Sequence, residues 1–208
     1  MMPWRERLRA LPVFGGDEPT FDVSNVPSTP LVLFERWLTE AIDAELLQPH
    51  AMTLATTGPQ ARTLILKDVD DRGLWFSASD DSPKGRALGA DRHVALLFYW
   101  RELGRQVRVE GVAVRGSAEE SAADFLERSP HARAGVFAGH QSAPVDRVEL
   151  DLEAARLSAE AGEVSDDWVT WCVEPRSVEF WQAEPSREHT RLRYEHSANG
   201  WERHVLVP

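Results

Sequence analysis

The residues most able to do chemistry lie near the C-terminus, in the segment EFWQAEPSREHTR that runs from Glu179 to Arg191. On an extended chain Arg187, His189 and Arg191 share one face, because alternate side chains of a strand point to the same side. That face carries two guanidinium groups and an imidazole, which repel one another unless an anion or carboxylates neutralise them. The residues alone leave two interpretations open: a site for a phosphorylated or carboxylated ligand, or a solvated edge strand paired with nearby glutamates.

Three upstream segments also carry groups that suit a polar ligand. SPKGR (82–86) places a hydroxyl, a lysine and an arginine near a predicted helix N-terminus, where free N–H groups and the helix dipole favour a phosphate. Gln106 and Gln141, the latter followed by Ser142, carry groups that donate and accept hydrogen bonds. Each pattern alone is equally typical of an ordinary protein surface.

RTLILK (62–67) has an apolar middle and a positive residue at each end. On one continuous strand Arg62 and Lys67 point to opposite sides unless a bulge intervenes. Taken alone, the segment favours a core strand with solvated ends.

Several classes of site are not indicated. The seven histidines are scattered, without a His-x-His or HExxH pattern, so we expect no metal site. There is no GxGxxG or P-loop pattern, and no nucleophile elbow of a Ser-His-Asp hydrolase.

The composition indicates a folded cytoplasmic protein. The chain has 208 residues, which suits one domain with a short appendage, and its formal net charge of -11 disfavours nucleic acid as a partner. Cys172 is the only cysteine, so no intramolecular disulfide forms, and its strand-like surroundings predict a buried, unreactive side chain. The sequence predicts neither a signal peptide nor a membrane span.

Hydrophobic periodicity and turn signals predict the elements that must hold these residues. Helices are expected at Trp4–Leu11, from Ser28–Pro30 to Leu47, within Asp80–Ala90, and near Ala118–Arg128 and Arg147–Ala161. Strands are expected at Ala51–Thr56, Arg62–Val69, Gly73–Ala78, His93–Trp100, Arg105–Arg115, Trp168–Val173, Ser177–Trp181 and Trp201–Val207. Such an order predicts a mainly β fold, an antiparallel barrel with peripheral helices.

At this point the residues resemble a known family. The spacing E-F-W-Q-x4-R-x-H-x-R is similar to the signature of the pyridoxamine 5′-phosphate oxidases. Further blocks in family order are PHAMTLAT (49–56), RTLILKDVDDRG (62–73), SPKGRAL (82–88), ALLFYWRELGRQVRVEG (95–111), HQS (140–142) and RLRY (191–194).

The resemblance implies an FMN-binding split β-barrel that works as a homodimer, with both subunits lining each flavin site. It implies oxidation of pyridoxamine or pyridoxine 5′-phosphate to pyridoxal 5′-phosphate, with hydride passing from C4′ to flavin N5 and molecular oxygen as the acceptor. The chain would divide into an N-terminal arm or lid (1–29), the FMN-binding domain (30–163) and a C-terminal dimerisation and active-site segment of the same fold (164–208).

The resemblance also implies roles for individual residues. The flavin contacts would be Arg62, Leu64, Lys67, Ser77, Lys84, Gln106, Gln141 and Ser142, with Trp181 and Arg191 from the other subunit. Arg187 and His189 would be catalytic and hold the substrate ring, while Lys67 and Arg128 would bind the substrate phosphate.

Several residues depart from the family pattern. On the flavin side these are Ser77-Ala78 and Pro83; on the substrate side they are Asp124, Ala132, Glu188, Thr190 and, at the place of a lid tyrosine, Pro12. Asp124 would repel a phosphate at close range. These departures resemble a related branch, the phenazine-biosynthesis flavin oxidases, which act on a carboxylated tricyclic substrate. A flavin- or pyridoxal-phosphate-binding protein without catalysis is the remaining alternative.

Overall fold

The computed structural model describes residues 3–13, 15, 18–144 and 150–208. The α-helices in these residues are α1 (Trp4–Arg9), α2 (Pro30–Asp43), α3 (Pro83–Ala90), α4 (Ala118–Glu127), α5 (Pro130–Phe137) and α6 (Leu152–Ala161). The strands are β1 (Ala51–Thr56), β2 (Gln60–Ile65), β3 (Asp68–Val69), β4 (Leu74–Ser79), β5 (His93–Trp100), β6 (Arg105–Arg115), β7 (Trp168–Gln182), β8 (Thr190–Ser197) and β9 (Gly200–Leu206). None of the helices in these parts of the chain is long and apolar enough to cross a membrane.

The chain folds into two compact units. The first comprises Met1–Pro49, Leu97–Arg108 and Ser177–Pro208, and the second comprises His50–Leu96 and Val109–Arg176. Strands β5, β6 and β7 each contribute one part to each unit.

In the first unit, helix α2 covers an aromatic core. Its apolar side buries Leu33, Phe34 and Trp37, and the rings of Phe34 and Trp37 meet those of Phe98 and Phe180 at centroid distances of 4.8 and 5.2 Å. Burial of each such side chain contributes roughly 1.5–3 kcal/mol. The strand order here is β5-β6-β7-β8-β9, and β8 and β9 form a hairpin closed between Ser197 and Gly200.

In the second unit, the strand order is β2-β1-β5-β6-β7-β4-β3. Phe76, Leu88, Phe125 and Trp171 are among its fully buried side chains. Cys172 lies in the same core, which confirms its predicted burial, and burial raises the pKa of its thiol to about 12.

Three of the predicted strands, β1, β5 and β6, keep their bounds, and the others differ. The expected single strand Arg62–Val69 is wrong: β2 ends at Ile65, and the chain then leaves β1 to pair with β4 as β3. The N–H of Leu66 still bonds to the carbonyl of His50, whereas that of Lys67 bonds to the carbonyl of Trp75, at 2.9 and 2.8 Å. Arg62 and Lys67 therefore belong to different ladders.

The two strands expected on either side of Pro175 form one strand, β7. Its partner changes from β4, up to Val173, to β8, from Ser177 onward, so the proline falls between the two ladders. The missing N–H of this proline therefore removes no bond from the β4 ladder or from the β8 ladder. Strand β8 and helix α5 were not among the predicted elements.

The predicted helix Arg147–Ala161 begins later than expected in the described chain. Helix α6 starts after Asp151, whose side chain accepts the Ala154 N–H at 2.9 Å. The expected start at Arg147 lies outside the described residues.

Candidate active site

A cavity of about 600 Å³ lies in the second unit. It brings together six of the residues that the sequence proposed for a cofactor or substrate, although they come from distant parts of the chain. These six are Leu64, Lys67, Ser77, Lys84, Arg128 and Gln141.

Lys84 reaches this cavity because helix α3 starts close against the end of β4. Ser82 caps the helix by accepting the Gly85 N–H at 3.0 Å, and Pro83 occupies the first turn, where a missing N–H has no cost. A Cβ on Gly85 would lie 2.3 Å from the Ser79 carbonyl oxygen, so only glycine permits this close approach.

Positive charges converge on the cavity, and the carboxylate that approaches them, that of Asp124, does not itself line the cavity. Among the described residues that line it there is no aspartate or glutamate. Lys84 donates from Nζ to Oε1 of Gln141 at 3.0 Å. Burial lowers the pKa of Lys84, and the charges of Arg62 and Arg128 lower it further. Burial also lowers the pKa of Arg128, so an anion here would relieve repulsion among these groups.

Arg62 does not line the cavity, but its positive charge lowers the pKa of Lys84, which does line it. The Arg62 guanidinium donates to the Thr56 hydroxyl at 3.0 Å and to Oε1 of Gln60 at 2.9 Å. These neutral partners hold the group in place without cancelling its charge.

Two buried polar atoms of the cavity residues have no hydrogen-bond partner within the described residues. They are the hydroxyl oxygen of Ser77 and Nε of Arg128. Because an unsatisfied buried polar group costs free energy, such atoms indicate a ligand that completes their bonding. With the cations and the amide of Gln141, they fit the phosphate and polar ring edge of FMN, the cofactor that the resemblance implies.

At Lys67 the cavity has an acidic neighbour. Asp124 places Oδ1 at 3.2 Å from Nζ of Lys67, and its Oδ2 accepts the indole N–H of Trp168 at 2.7 Å. The guanidinium of Arg128 lies 4.0 Å from the centre of the Trp168 ring. Asp124 thus neutralises Lys67, the lysine predicted to bind a substrate phosphate. The sequence did not predict this ion pair because the two residues are far apart along the chain.

Trp168 lines the cavity and was missed by the sequence reasoning, which placed it only at the start of a strand. Its amphipathic ring serves as a platform for Arg128 and a donor to Asp124. Nothing in the local pattern distinguishes it from a core tryptophan.

In the first unit, Glu179, the first residue of the C-terminal signature, forms ion pairs with three arginines. Its carboxylate accepts bonds from Arg108 at 3.1 Å, from Arg191 at 2.8 Å and from Arg193 at 3.0 Å. Burial alone would raise the pKa of Glu179, but the bonds from Arg191 and Arg193 outweigh it and the net pKa lies below its ordinary value. The Glu179 carboxylate therefore orients three guanidinium groups, of which that of Arg193 also pairs with Glu195 at 3.4 Å.

The expected single extended face of Arg187, His189 and Arg191 is wrong. Strand β8 begins at Thr190, so only Arg191 lies on it. Arg187 has a φ of 66°, in the left-handed region, and its N–H bonds to the Glu184 carbonyl at 2.9 Å. The Pro185-Ser186 dipeptide occupies the centre of this turn and favours the change in chain direction.

The remaining predicted residues do not line the cavity. Gln106 is half-buried on β6 in the first unit, where Trp181 also lies with its ring 4.8 Å from that of His189. Ser142 is exposed in the second unit, next to Gln141 and with a φ of 70°. The roles assigned to these three residues stay predictions.

Comparison with known proteins agrees with the family resemblance of the sequence blocks described above. The profile of the family described as pyridoxamine 5′-phosphate oxidase matches residues 38–182, and that of the pyridoxine 5′-phosphate oxidase C-terminal dimerisation region matches residues 168–208. The chain is 42% identical over 191 residues to a pyridoxine/pyridoxamine 5′-phosphate oxidase of Paraburkholderia phymatum, covering 88% of this chain and 90% of the relative. A protein of the same name from Thermosynechococcus vestitus is 42% identical over 193 residues, covering 89% and 92%.

Among solved structures, PhzG from Burkholderia lata 383, in complex with tetrahydrophenazine-1-carboxylic acid, superposes with a TM-score of 0.82 at 33% identity, covering 93% of this chain and 100% of that one. A pyridoxamine 5′-phosphate oxidase-related, FMN-binding protein of Nostoc punctiforme shares the fold, with a TM-score of 0.70 at 17% identity over 88% of this chain and 100% of that one.

These matches confirm the predicted split-barrel fold and the predicted class of enzyme, an oxidase with FMN as its cofactor. From its ordered sequence blocks, its fold and its cationic cavity, the chain belongs to the pyridoxamine 5′-phosphate oxidase family.

Proposed function

We propose that this enzyme oxidises pyridoxamine or pyridoxine 5′-phosphate to pyridoxal 5′-phosphate, with FMN as cofactor and molecular oxygen as acceptor. The observation that carries the proposal is the cavity of the second unit, where Lys67, Lys84 and Arg128 converge beside an unsatisfied Ser77 hydroxyl. Two phosphorylated ligands, cofactor and substrate, would satisfy these groups. The names of the relatives at 42% identity support the same reaction.

The cofactor site in this proposal is built from the flavin-side residues. Arg62, Lys84 and Ser77 bind the FMN phosphate, since two fixed cations and a hydroxyl match its charge and acceptor oxygens. Leu64 contributes apolar contact, and Gln106, Gln141 and Ser142 bond to the polar ring edge. When bound, FMN supplies the chemistry, accepting a hydride from the substrate and passing electrons to oxygen.

Four of the predicted residues serve the substrate in this proposal. Lys67 and Arg128 bind the phosphate of the substrate, and Arg187 and His189 orient its ring so that the reacting carbon faces the cofactor. Correct orientation removes much of the entropic barrier to transfer. The donor groups of Arg187 and His189 bind the ring substituents without themselves being oxidised.

The active unit in this proposal is a homodimer. The match of residues 168–208 to a C-terminal dimerisation region supports it. Trp181 and Arg191 of each subunit approach the FMN of the other, so neither site is complete in a monomer. Glu179 holds Arg191 ready for this contact, at 2.8 Å.

The test is turnover by the purified yellow protein. Oxygen uptake and pyridoxal phosphate formation are expected with both phosphorylated vitamers and not with their dephosphorylated forms, which lack the group that Lys67 and Arg128 bind. FMN binding without turnover of any amine or alcohol would contradict the proposal and indicate a non-catalytic flavin-binding protein.

A second candidate substrate is a reduced, carboxylated tricyclic compound. The Lys67–Asp124 pair favours it, because a neutralised lysine suits a singly charged carboxylate better than a doubly charged phosphate. The ligand of the PhzG structure belongs to this class.

Asp124→Asn distinguishes the two candidates, since it removes the charge and keeps an acceptor for Trp168. If the carboxylated compound is the substrate, the variant should gain about tenfold in kcat/KM for pyridoxamine phosphate from the freed charge of Lys67. Steady-state kinetics with both compounds measure this gain, and Glu127→Gln, an exposed carboxylate on the same helix, serves as the control. Efficient oxidation of pyridoxamine phosphate by the wild type, unchanged in Asp124→Asn, would exclude the second candidate.

A further inference from the structure

The connection between β7 and β8, residues 183–189, carries both proposed catalytic residues. Arg187 and His189 lie outside the regular ladder there, although the His189 ring contacts that of Trp181 on β7 at 4.8 Å. The connection itself supplies further contacts to both residues. Glu184, near its start, contacts this segment through three of its own groups.

The first contact concerns the imidazole of His189. The backbone N–H of Glu184 donates to Nδ1 of His189 at 3.1 Å. An imidazolium has N–H groups at both ring positions, so only a neutral ring with its proton on Nε2 can accept this bond. The geometry therefore assigns His189 as a donor at Nε2.

The second contact concerns Arg187. The carbonyl of Glu184 accepts the Arg187 N–H at 2.9 Å, closing the turn around Pro185 and Ser186. Arg187 adopts its left-handed backbone at the end of this turn. Such a conformation is unfavourable for a non-glycine residue and persists where surrounding bonds enforce it.

The third contact ties Glu184 to the sheet. Its carboxylate accepts the hydroxyl of Thr190, the first residue of β8. Thr190 is paired with Gln182, which is fully buried and accepts a bond from Nε of Arg105 at 2.9 Å. The carboxylate of Glu184 thus connects the turn to a rigid point of the ladder.

We propose that Glu184 and Thr190 are positioning residues that hold Arg187 and His189 and fix the Nε2–H tautomer of His189. The proposal rests on the proposed function for the roles of Arg187 and His189, but the tautomer depends on geometry alone.

Two matched variants test the proposal in the FMN-loaded enzyme. Thr190→Val removes the hydroxyl and keeps the shape, whereas Thr190→Ser keeps the hydroxyl. NMR of ring-¹⁵N-labelled histidine, with His189→Gln to identify the signal, reports the tautomer directly. The wild type and Thr190→Ser should show an unprotonated Nδ1 and a protonated Nε2. Thr190→Val should show averaged tautomers and a kcat/KM lower by about tenfold, the cost of a misplaced group.

Unchanged nitrogen shifts in Thr190→Val, or equal loss in Thr190→Ser, would overturn the proposal. If Thr190→Val does not fold, Glu184→Ala removes the other partner and is expected to change the same signals. An enzyme that fails to oxidise the phosphorylated vitamers would refute the proposed function, while the NMR comparison would still decide the role of Glu184 and Thr190.

Discussion

Replacement of His189 by alanine is expected to lower kcat/KM for pyridoxamine phosphate by about 10²–10⁴-fold, the range typical for a positioned proton-bearing group. His189 lies beside Trp181, and in the proposed site its Nε2–H binds a ring substituent of the substrate, which the variant would leave without a donor. Because the residues proposed for the FMN phosphate are elsewhere in the chain, the variant should stay yellow.

The measurement combines flavin content, oxygen uptake and single-turnover reduction of the flavin by substrate. The matched control is His93→Ala, which replaces a histidine that is 76% exposed and pairs with the nearby Asp91. A loss confined to kcat/KM, with normal flavin content, supports the assignment. Turnover by His189→Ala at the wild-type rate would show that the imidazole is not part of the active site.

Lys84→Ala is expected to weaken FMN binding by about ten- to a hundredfold, since a hydrogen bond to a charged group contributes roughly 1.5–3 kcal/mol. The pKa of Lys84 is lowered by burial and by Arg62 and Arg128, so the free protein holds this cation against repulsion that a phosphate would relieve. The FMN affinity that remains in the variant should depend less on salt concentration than that of the wild type, because one charged contact is gone.

Flavin fluorescence during equilibrium dialysis measures this affinity. Arg86→Ala is the control, because Arg86 lies on the same helix, pairs with Asp81 and does not line the cavity. The two variants remove equal charge from α3, so a general electrostatic effect would weaken both alike. Equal FMN affinity in Lys84→Ala and the wild type would remove Lys84 from the cofactor site.

The sequence by itself determined the family, the class of fold and six of the residues that line the cavity. Strands β1, β5 and β6 have the predicted bounds, because apolar runs bounded by turn residues are a local property of the sequence. The blocks around Leu64, Lys84 and Gln141 likewise identified residues that meet in one cavity. The types of these residues and the order of their blocks were enough to propose them for one site without any interatomic distance.

What only the tertiary structure decided is which charges meet. Asp124 pairs with Lys67, Glu179 gathers three arginines, and Glu184 reaches His189 and Thr190 across a turn. The extended face predicted for Arg187, His189 and Arg191 was wrong for the same reason. Side-chain periodicity describes one element at a time, whereas these contacts depend on where a strand ends, on its register with its neighbour and on the path of the chain between elements.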